Sequence, residues 1–194
     1  MIRLALLRHG HTPWNREGRI QGRTDIALDD AAEKQLSRLV LPEQWQGATL
    51  WSSPLKRAIR TAELVSDQRP KTDPALIEMD WGDWEGKEGA ILRADPNSGF
   101  RDIEEWGWHY RPPNGESPAD LRTRLRPWVQ SLSGDVVVVC HIGIMRVLMA
   151  QATGWDFAGP APFQIKRNRL FVITVTDRDW SAENASVRLS ERTS

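Results

Sequence analysis

The chain has 194 residues, enough for one full core, since domains usually run to about 50–250 residues. Lys plus Arg and Asp plus Glu number 26 each, so the formal net charge is zero and no nucleic acid or membrane partner is indicated. A single cysteine, Cys140, excludes an internal disulfide and a cysteine-based zinc site, and the four histidines are too scattered to suggest a metal or any other cofactor. The amino terminus lacks a charged region followed by a long apolar stretch, and no run approaches the roughly 18 apolar residues of a membrane span. The expectation is therefore a cytoplasmic protein; its oligomeric state is not encoded legibly, and a homodimer stays open.

In chain order, the apolar run Ile2 to Leu7 reads as a buried strand, cut short by Arg8, His9 and Gly10. Asp29 or Asp30 can cap a helix running through Ala31, Leu36 and Leu39 and stopping before Pro42. Ala48 to Trp51 reads as a second, short strand. Ser53-Pro54 then opens a helix, with serine at the cap and proline at the first helical position. Its apolar stripe is Leu55, Ala58, Ile59, Ala62 and Val65. A short extended segment follows near Lys71-Thr72-Asp73.

From Glu78 to Ser117 regular periodicity fades into a Gly-, Pro- and Trp-rich stretch with one short helix near residues 87–93. Ser117 to Asp120 has capping-box character and leads into a helix through Leu121, Leu125, Trp128 and Leu132. The four valines before Cys140 mark a strand that runs into His141 and then a helix through Met145, Leu148 and Met149. Leu170 to Val175 is a late strand, and Ser186 to Leu189 an edge strand. This alternation predicts an α/β fold with a mostly parallel central sheet. A single domain over residues 1–194 is expected, with the irregular insertion over about 79–116 as a candidate cap.

Arg8 and His9 fall just past the carboxyl end of their strand, the edge at which open α/β sheets bind ligands. Arg57 lies in the first turn of the helix after the second strand, off its apolar stripe, so burial does not account for it. His141 ends the valine strand. Right-handed crossovers deliver all four residues to one sheet edge, beside helix amino termini that favour anions. Guanidinium forks and imidazoles together imply a phosphate-sized anion site.

These residues belong to a longer pattern. Arg8-His9-Gly10 comes with Thr12, Trp14 and Asn15, then Gln21-Gly22 with Asp25 and Leu28, then Ser53-Pro54-Leu55 through Arg57-Ala58 to Thr61-Ala62. Glu78 follows with Gly82, Trp84, Glu85 and Gly86, then Gly115-Glu116-Ser117, then His141 with Gly143 and Arg146. In this order the pattern resembles the histidine phosphatase superfamily, with its phosphoglycerate mutase-like three-layer sandwich. The resemblance implies a metal-independent phosphomonoesterase of the histidine acid phosphatase type. In it His9 attacks phosphorus, while Arg8, Arg57 and His141 hold the phosphoryl oxygens. Asn15 and Gln21, with the backbone N–H of Ile142, contact the substrate, and Glu78 gives a proton to the leaving alcohol. The implied partner is a small phosphorylated metabolite, with the α-ribazole phosphatase branch giving one candidate substrate and a sugar phosphate another. Phosphoglycerate mutase-type transfer is the alternative, although mutases are generally longer.

Several residues depart from the family pattern. His11 stands where Glu is frequent, Arg60 where Gln is, Cys140 replaces Ser or Thr, and Ile142 replaces a common Gly. Neutrality of His9 is expected from its Arg neighbours. Cys140 to Arg146 also spells C-x-x-G-x-x-R, the signature of cysteine-dependent phosphatases, but that leaves the other motifs unexplained. Asp177-Arg178-Asp179 is read as a turn, Glu85 and Glu116 as solvated carboxylates in preference to substrate contacts, and His109 as a surface or packing residue. Trp81, Trp84, Trp106, Trp108 and Tyr110 form either an aromatic lid or the packing of the insertion. A catalytically idle phosphate-binding module is a further class, disfavoured because binding alone needs no proton donor.

Overall fold

The structure, a computed structural model, describes residues 1–177 and 179–192. Arg178, the centre of the expected Asp177–Asp179 turn, lies outside the described residues, as do Thr193 and Ser194. In chain order the elements are β1 (Ile2–Arg8), α1 (Pro13–Arg16), α2 (Asp30–Leu36), β2 (Leu39–Val40), β3 (Thr49–Ser52), α3 (Lys56–Ser66) and β4 (Lys71–Thr72). They continue with α4 (Gly89–Ala94), α5 (Pro118–Gln130), β5 (Gly134–Cys140), α6 (Ile142–Thr153), β6 (Arg169–Val175), β7 (Trp180–Ala182), β8 (Val187–Arg188) and β9 (Ser190–Glu191).

The seven-stranded sheet has the order β4-β3-β5-β1-β6-β7, with β8 also on β6. The strands from β4 to β1 are mutually parallel; β6 is antiparallel to β1, and β7 and β8 are antiparallel to β6. Only β6 is therefore reversed. A sheet of this kind must be covered on both faces, and the residues of its two central strands alternate accordingly. Leu4, Leu6, Val136, Val138 and Cys140 face the apolar stripes of α5 and α6. Ala5, Leu7, Val137 and Val139 face α2 and α3. Each such Leu or Val contributes about 1.5–3 kcal/mol by leaving water, which makes this α/β sandwich the structural platform for everything at its edges.

Two local expectations give way. The helix of α2 ends at Leu36, and Leu39–Val40 pairs with β9 instead of adding another turn. Helix α3 begins at Lys56 and not at Ser53-Pro54. Ser53 Oγ accepts from Leu55 N (3.3 Å), while the Lys56 N–H is taken by the distant Asp25 carboxylate at 2.8 Å. A tertiary cap has replaced the local one, and it ties the 22–25 loop to the amino end of α3. Ser117 and Asp120 do form the expected capping box of α5.

Candidate active site

The loops leaving β1, β3 and β5 lie side by side at the carboxyl edge. His9 N donates to Cys140 O (3.0 Å) and Ser53 N to Val139 O (3.0 Å), carrying the ladder just past the strand ends. His9 and His141 are both buried. Their ring centroids are 5.1 Å apart at 58°. Nδ1 of His9 lies 2.6 Å from the Gly10 carbonyl. A carbonyl can only accept, so Nδ1 carries the proton and Nε2 keeps the lone pair. Both nitrogens of His141 are buried without a protein partner among the described residues.

Arg57 is completely buried, although it lies off the apolar stripe of its helix. Its terminal nitrogens donate to Gly22 O (2.7 Å) and Thr24 O (2.8 Å), and its Nε has no partner among the described residues. The Arg8 guanidinium likewise shows a buried, unpartnered Nε. Asn15 caps α1 jointly with Thr12, and its Oδ1 also accepts from Arg167 Nη2 at 3.0 Å. Gln21 accepts from Thr12 Oγ1 (3.0 Å) and leaves its Nε2 unpartnered. Ile142 opens α6, where the first N–H groups of a helix have no partner within it.

Arg167 is not legible in the sequence. It sits in the irregular segment before β6, and its Nε donates to the His9 carbonyl at 3.2 Å. No periodicity or motif marks it. Its position follows only from the reversal of β6, which brings the start of that strand beside the end of β1.

Glu78 is the one buried carboxylate among the described residues. One oxygen accepts from Met79 N (2.7 Å) and the other from Gly143 N (3.1 Å) at the start of α6. A Cβ on residue 143 would run into this carboxylate, which explains the glycine of the His141 motif. Burial raises the pKa of Glu78, with the two backbone hydrogen bonds, Arg57 and Arg8 opposing. Burial also pushes both imidazoles well below their ordinary value. For His9 the next causes are Arg57 and Arg8; for His141 they are His9, Arg57 and Arg8. His9 is thus held neutral as expected, with desolvation ahead of the arginines as the cause. Arg8, Arg146 and Arg167 are all depressed chiefly by burial. Guanidinium groups stay protonated in proteins, so the site concentrates positive charge around a single buried acid.

The reading of Glu116 as a solvated carboxylate is corrected, since it pairs with Arg124 at 2.9 Å and is largely shielded; Glu85 is partly exposed and accepts from Thr24 N (2.5 Å). Cys140 is fully buried, facing the α5/α6 core, and burial raises its thiol pKa. A thiolate nucleophile is disfavoured there. The indoles of Trp84 and Trp106 are buried against one another and against Tyr110 and Phe100, and they join the apolar core between the sheet and α5/α6. Trp81 and Trp108 are only half-buried, and His109 is exposed.

A mostly parallel sheet covered on both faces, with two imidazoles and several guanidinium groups at its carboxyl edge, defines an α/β protein with a positively charged edge. The model of the histidine phosphatase superfamily (branch 1) matches residues 4–187, and the chain belongs to that superfamily. It is 32% identical over 168 residues to phosphoglycerate mutase-like protein 4 of Arabidopsis thaliana, covering 77% of this chain and 70% of that one. It is 33% identical over 152 residues to Homo sapiens 6-phosphofructo-2-kinase/fructose-2,6-bisphosphatase 3, covering 76% of this chain but only 29% of that protein. Among solved structures, a phosphoglycerate mutase from Thermus thermophilus superposes with a TM-score of 0.73 at 32% identity, covering 98% of this chain and 99% of that one. A mycobacterial glucosyl-3-phosphoglycerate phosphatase complexed with VO3 gives 0.80 at 28% identity, covering 93% and 96%. No helix among the described residues is long and apolar enough to cross a membrane.

Proposed function

We propose that the protein is a phosphomonoesterase that works through a phosphohistidine on a small phosphorylated metabolite. The observation that carries this reading is the tautomer of His9: its Nδ1 proton is committed to the Gly10 carbonyl, and its Nε2 lone pair stays free. Nε2 attacks phosphorus, the P–O bond to the alcohol breaks, and Glu78 supplies the proton to the leaving oxygen. Water then attacks the phosphohistidine, Glu78 takes its proton, and the P–N bond breaks to give inorganic phosphate. Arg8, Arg57, His141 and the unpartnered Gln21 Nε2 meet the charge that spreads over the equatorial oxygens. Asn15, steered by Arg167, and the Ile142 N–H complete the contacts. Fixed cationic donors carry the electrostatic stabilisation in this reading.

The VO3 complex of the similar mycobacterial phosphatase supports a phosphate-like ligand for this chain. Related chains carry both mutase and phosphatase names, so the names do not separate the two chemistries. A panel of phosphorylated metabolites separates them. Hydrolysis with release of inorganic phosphate is expected, together with an acid-labile, base-stable phosphoenzyme that disappears in His9→Ala. Isomerisation of a substrate without release of phosphate would indicate a mutase. A phosphoenzyme that persists in His9→Ala would overturn the nucleophile.

A further inference from the structure

Glu78 sits in irregular chain: residues 77–81 belong to no helix or strand. An acid that must meet a leaving oxygen within hydrogen-bond reach therefore needs its backbone held from elsewhere. Arg124, on α5, does this with all five of its N–H donors. Nη1 donates to Ala75 O (2.6 Å) and Ile77 O (2.9 Å), and Nη2 reaches Glu78 O at 3.4 Å. Nε and Nη2 also form a two-pronged pair with the Glu116 carboxylate, both at 2.9 Å. Glu116 in turn accepts from Asp80 N (3.0 Å) and donates its own N–H to Asp80 O (2.8 Å). The chain on both sides of Glu78 is thereby fastened to one guanidinium–carboxylate fork.

The fork also reaches the phosphate side. Arg23 contacts Asp80 (3.2 Å) and Glu116 (3.4 Å). Its neighbours Gly22 and Thr24 supply the carbonyls that hold Arg57. Arg124 and Glu116 are largely shielded from water, with 22% and 14% of their side chains exposed, so their pairing is stronger than that of an exposed pair. We infer that Glu116 and Arg124 are positioning residues for Glu78, setting the acid's distance to the leaving oxygen relative to the Arg57 clamp. This rests on the reading of Glu78 as the proton donor.

Leaving-group dependence tests it. In kcat/KM, p-nitrophenyl phosphate expels a stabilised phenolate that scarcely needs a proton, whereas an alkyl phosphate such as β-glycerophosphate does. Glu78→Gln is the reference and should lose about 10²–10⁴-fold on the alkyl ester with a much smaller loss on the aryl ester. Arg124→Lys, which keeps charge but not the fork, should lose roughly 10²-fold on the alkyl ester alone, the scale of an approximately 1 Å misplacement. Glu116→Gln, the milder variant, should show the same selectivity and a weakened alkaline limb of the pH profile. Thermal melting identifies any variant that does not fold. Equal losses on both esters in the fork variants, with Glu78→Gln selective, would overturn this inference alone. An unselective Glu78→Gln would overturn the acid assignment and this inference with it.

Discussion

The sheet edge and the Trp-rich stretch treat their buried polar atoms in opposite ways. Eight buried side-chain nitrogens lack a protein partner among the described residues, six of them on Arg8, His11, Gln21, Arg57 and His141 and none within 79–116. In the Trp-rich stretch Trp84 Nε1 donates to Ser98 O (3.2 Å) and Trp106 Nε1 to Arg101 O (3.0 Å), while Asn114 holds Asp83. Leaving a buried donor unsatisfied costs about 1–3 kcal/mol. The irregular stretch pairs its buried side-chain donors, whereas the loops and helix starts at the sheet edge leave theirs open, and in the proposed reading that cost falls where a bound anion would remove it. The contrast supports the proposed reading of the edge as the ligand site.

The largest expected effect sharpens this contrast at Arg57. Its two carbonyl anchors fix the guanidinium plane, leaving Nε free for an oxygen. Arg57→Ala should lower kcat/KM by about 10²–10³-fold, the scale of a lost transition-state donor. Arg57→Lys should recover little, because an ammonium cannot serve both carbonyls and the substrate in one plane. Recovery to within about threefold in steady-state assays would mean that charge alone matters, and the edge would lose its claim to fixed geometry.

Trp84→Ala tests the other side. Removing a fully buried indole costs about 3–5 kcal/mol, read as a lower Tm and midpoint in urea. The loss should fall mainly on stability, with kcat/KM for p-nitrophenyl phosphate nearly kept at temperatures where the variant is folded. A collapse of aryl-ester activity in the folded variant would show that the aromatic core reaches the phosphate clamp and would join the two regions.

Stability against pH separates them again. His9 and His141 stay neutral in the native state well below the ordinary 6.5. As pH falls through 6.5 the unfolded chain takes up protons that the native one refuses, so stability falls with pH. Glu78 works in the other direction: its folded pKa is raised above 4.5, so stability is lost as pH rises from 4.5 through that value. The two opposing slopes overlap above pH 4.5, over the interval that the raised Glu78 value spans below 6.5. Glu78→Gln should therefore steepen the rise of Tm across that interval. An unchanged slope would show that Glu78 is not titrating from a raised value.

How much of this is legible in the sequence follows the same division. The strands are readable because β-branched and apolar runs interrupted by Arg-His-Gly or Cys-His can be little else, and their ends locate the edge. Arg57 is marked by its place in the first turn of a helix, although its complete burial is not foreseeable, since the carbonyls that satisfy it come from the 22–24 loop. The cap of α3 is misread for a like reason: Asp25 arrives from 31 residues away. Arg167 and Arg124 stay hidden because neither has a local signature. One depends on strand reversal and the other on a helix face meeting a loop, both of which are tertiary facts.

The smallest expected effect concerns Cys140, where strand and site meet. Its motif mimics a thiolate nucleophile, but the side chain points with Val136 and Val138 into the α5/α6 core, and burial raises its pKa. Cys140→Ser should leave kcat/KM within about twofold, and it should cost about 1–3 kcal/mol by burying a hydroxyl with no arranged partner. Iodoacetamide should likewise leave the native enzyme active, because alkylation needs a thiolate that this site does not stabilise. Loss of turnover in a folded Cys140→Ser protein would move the nucleophile from the first imidazole to the sulfur. It would also make the His9 tautomer, on which the phosphohistidine reading stands, a feature of structure alone.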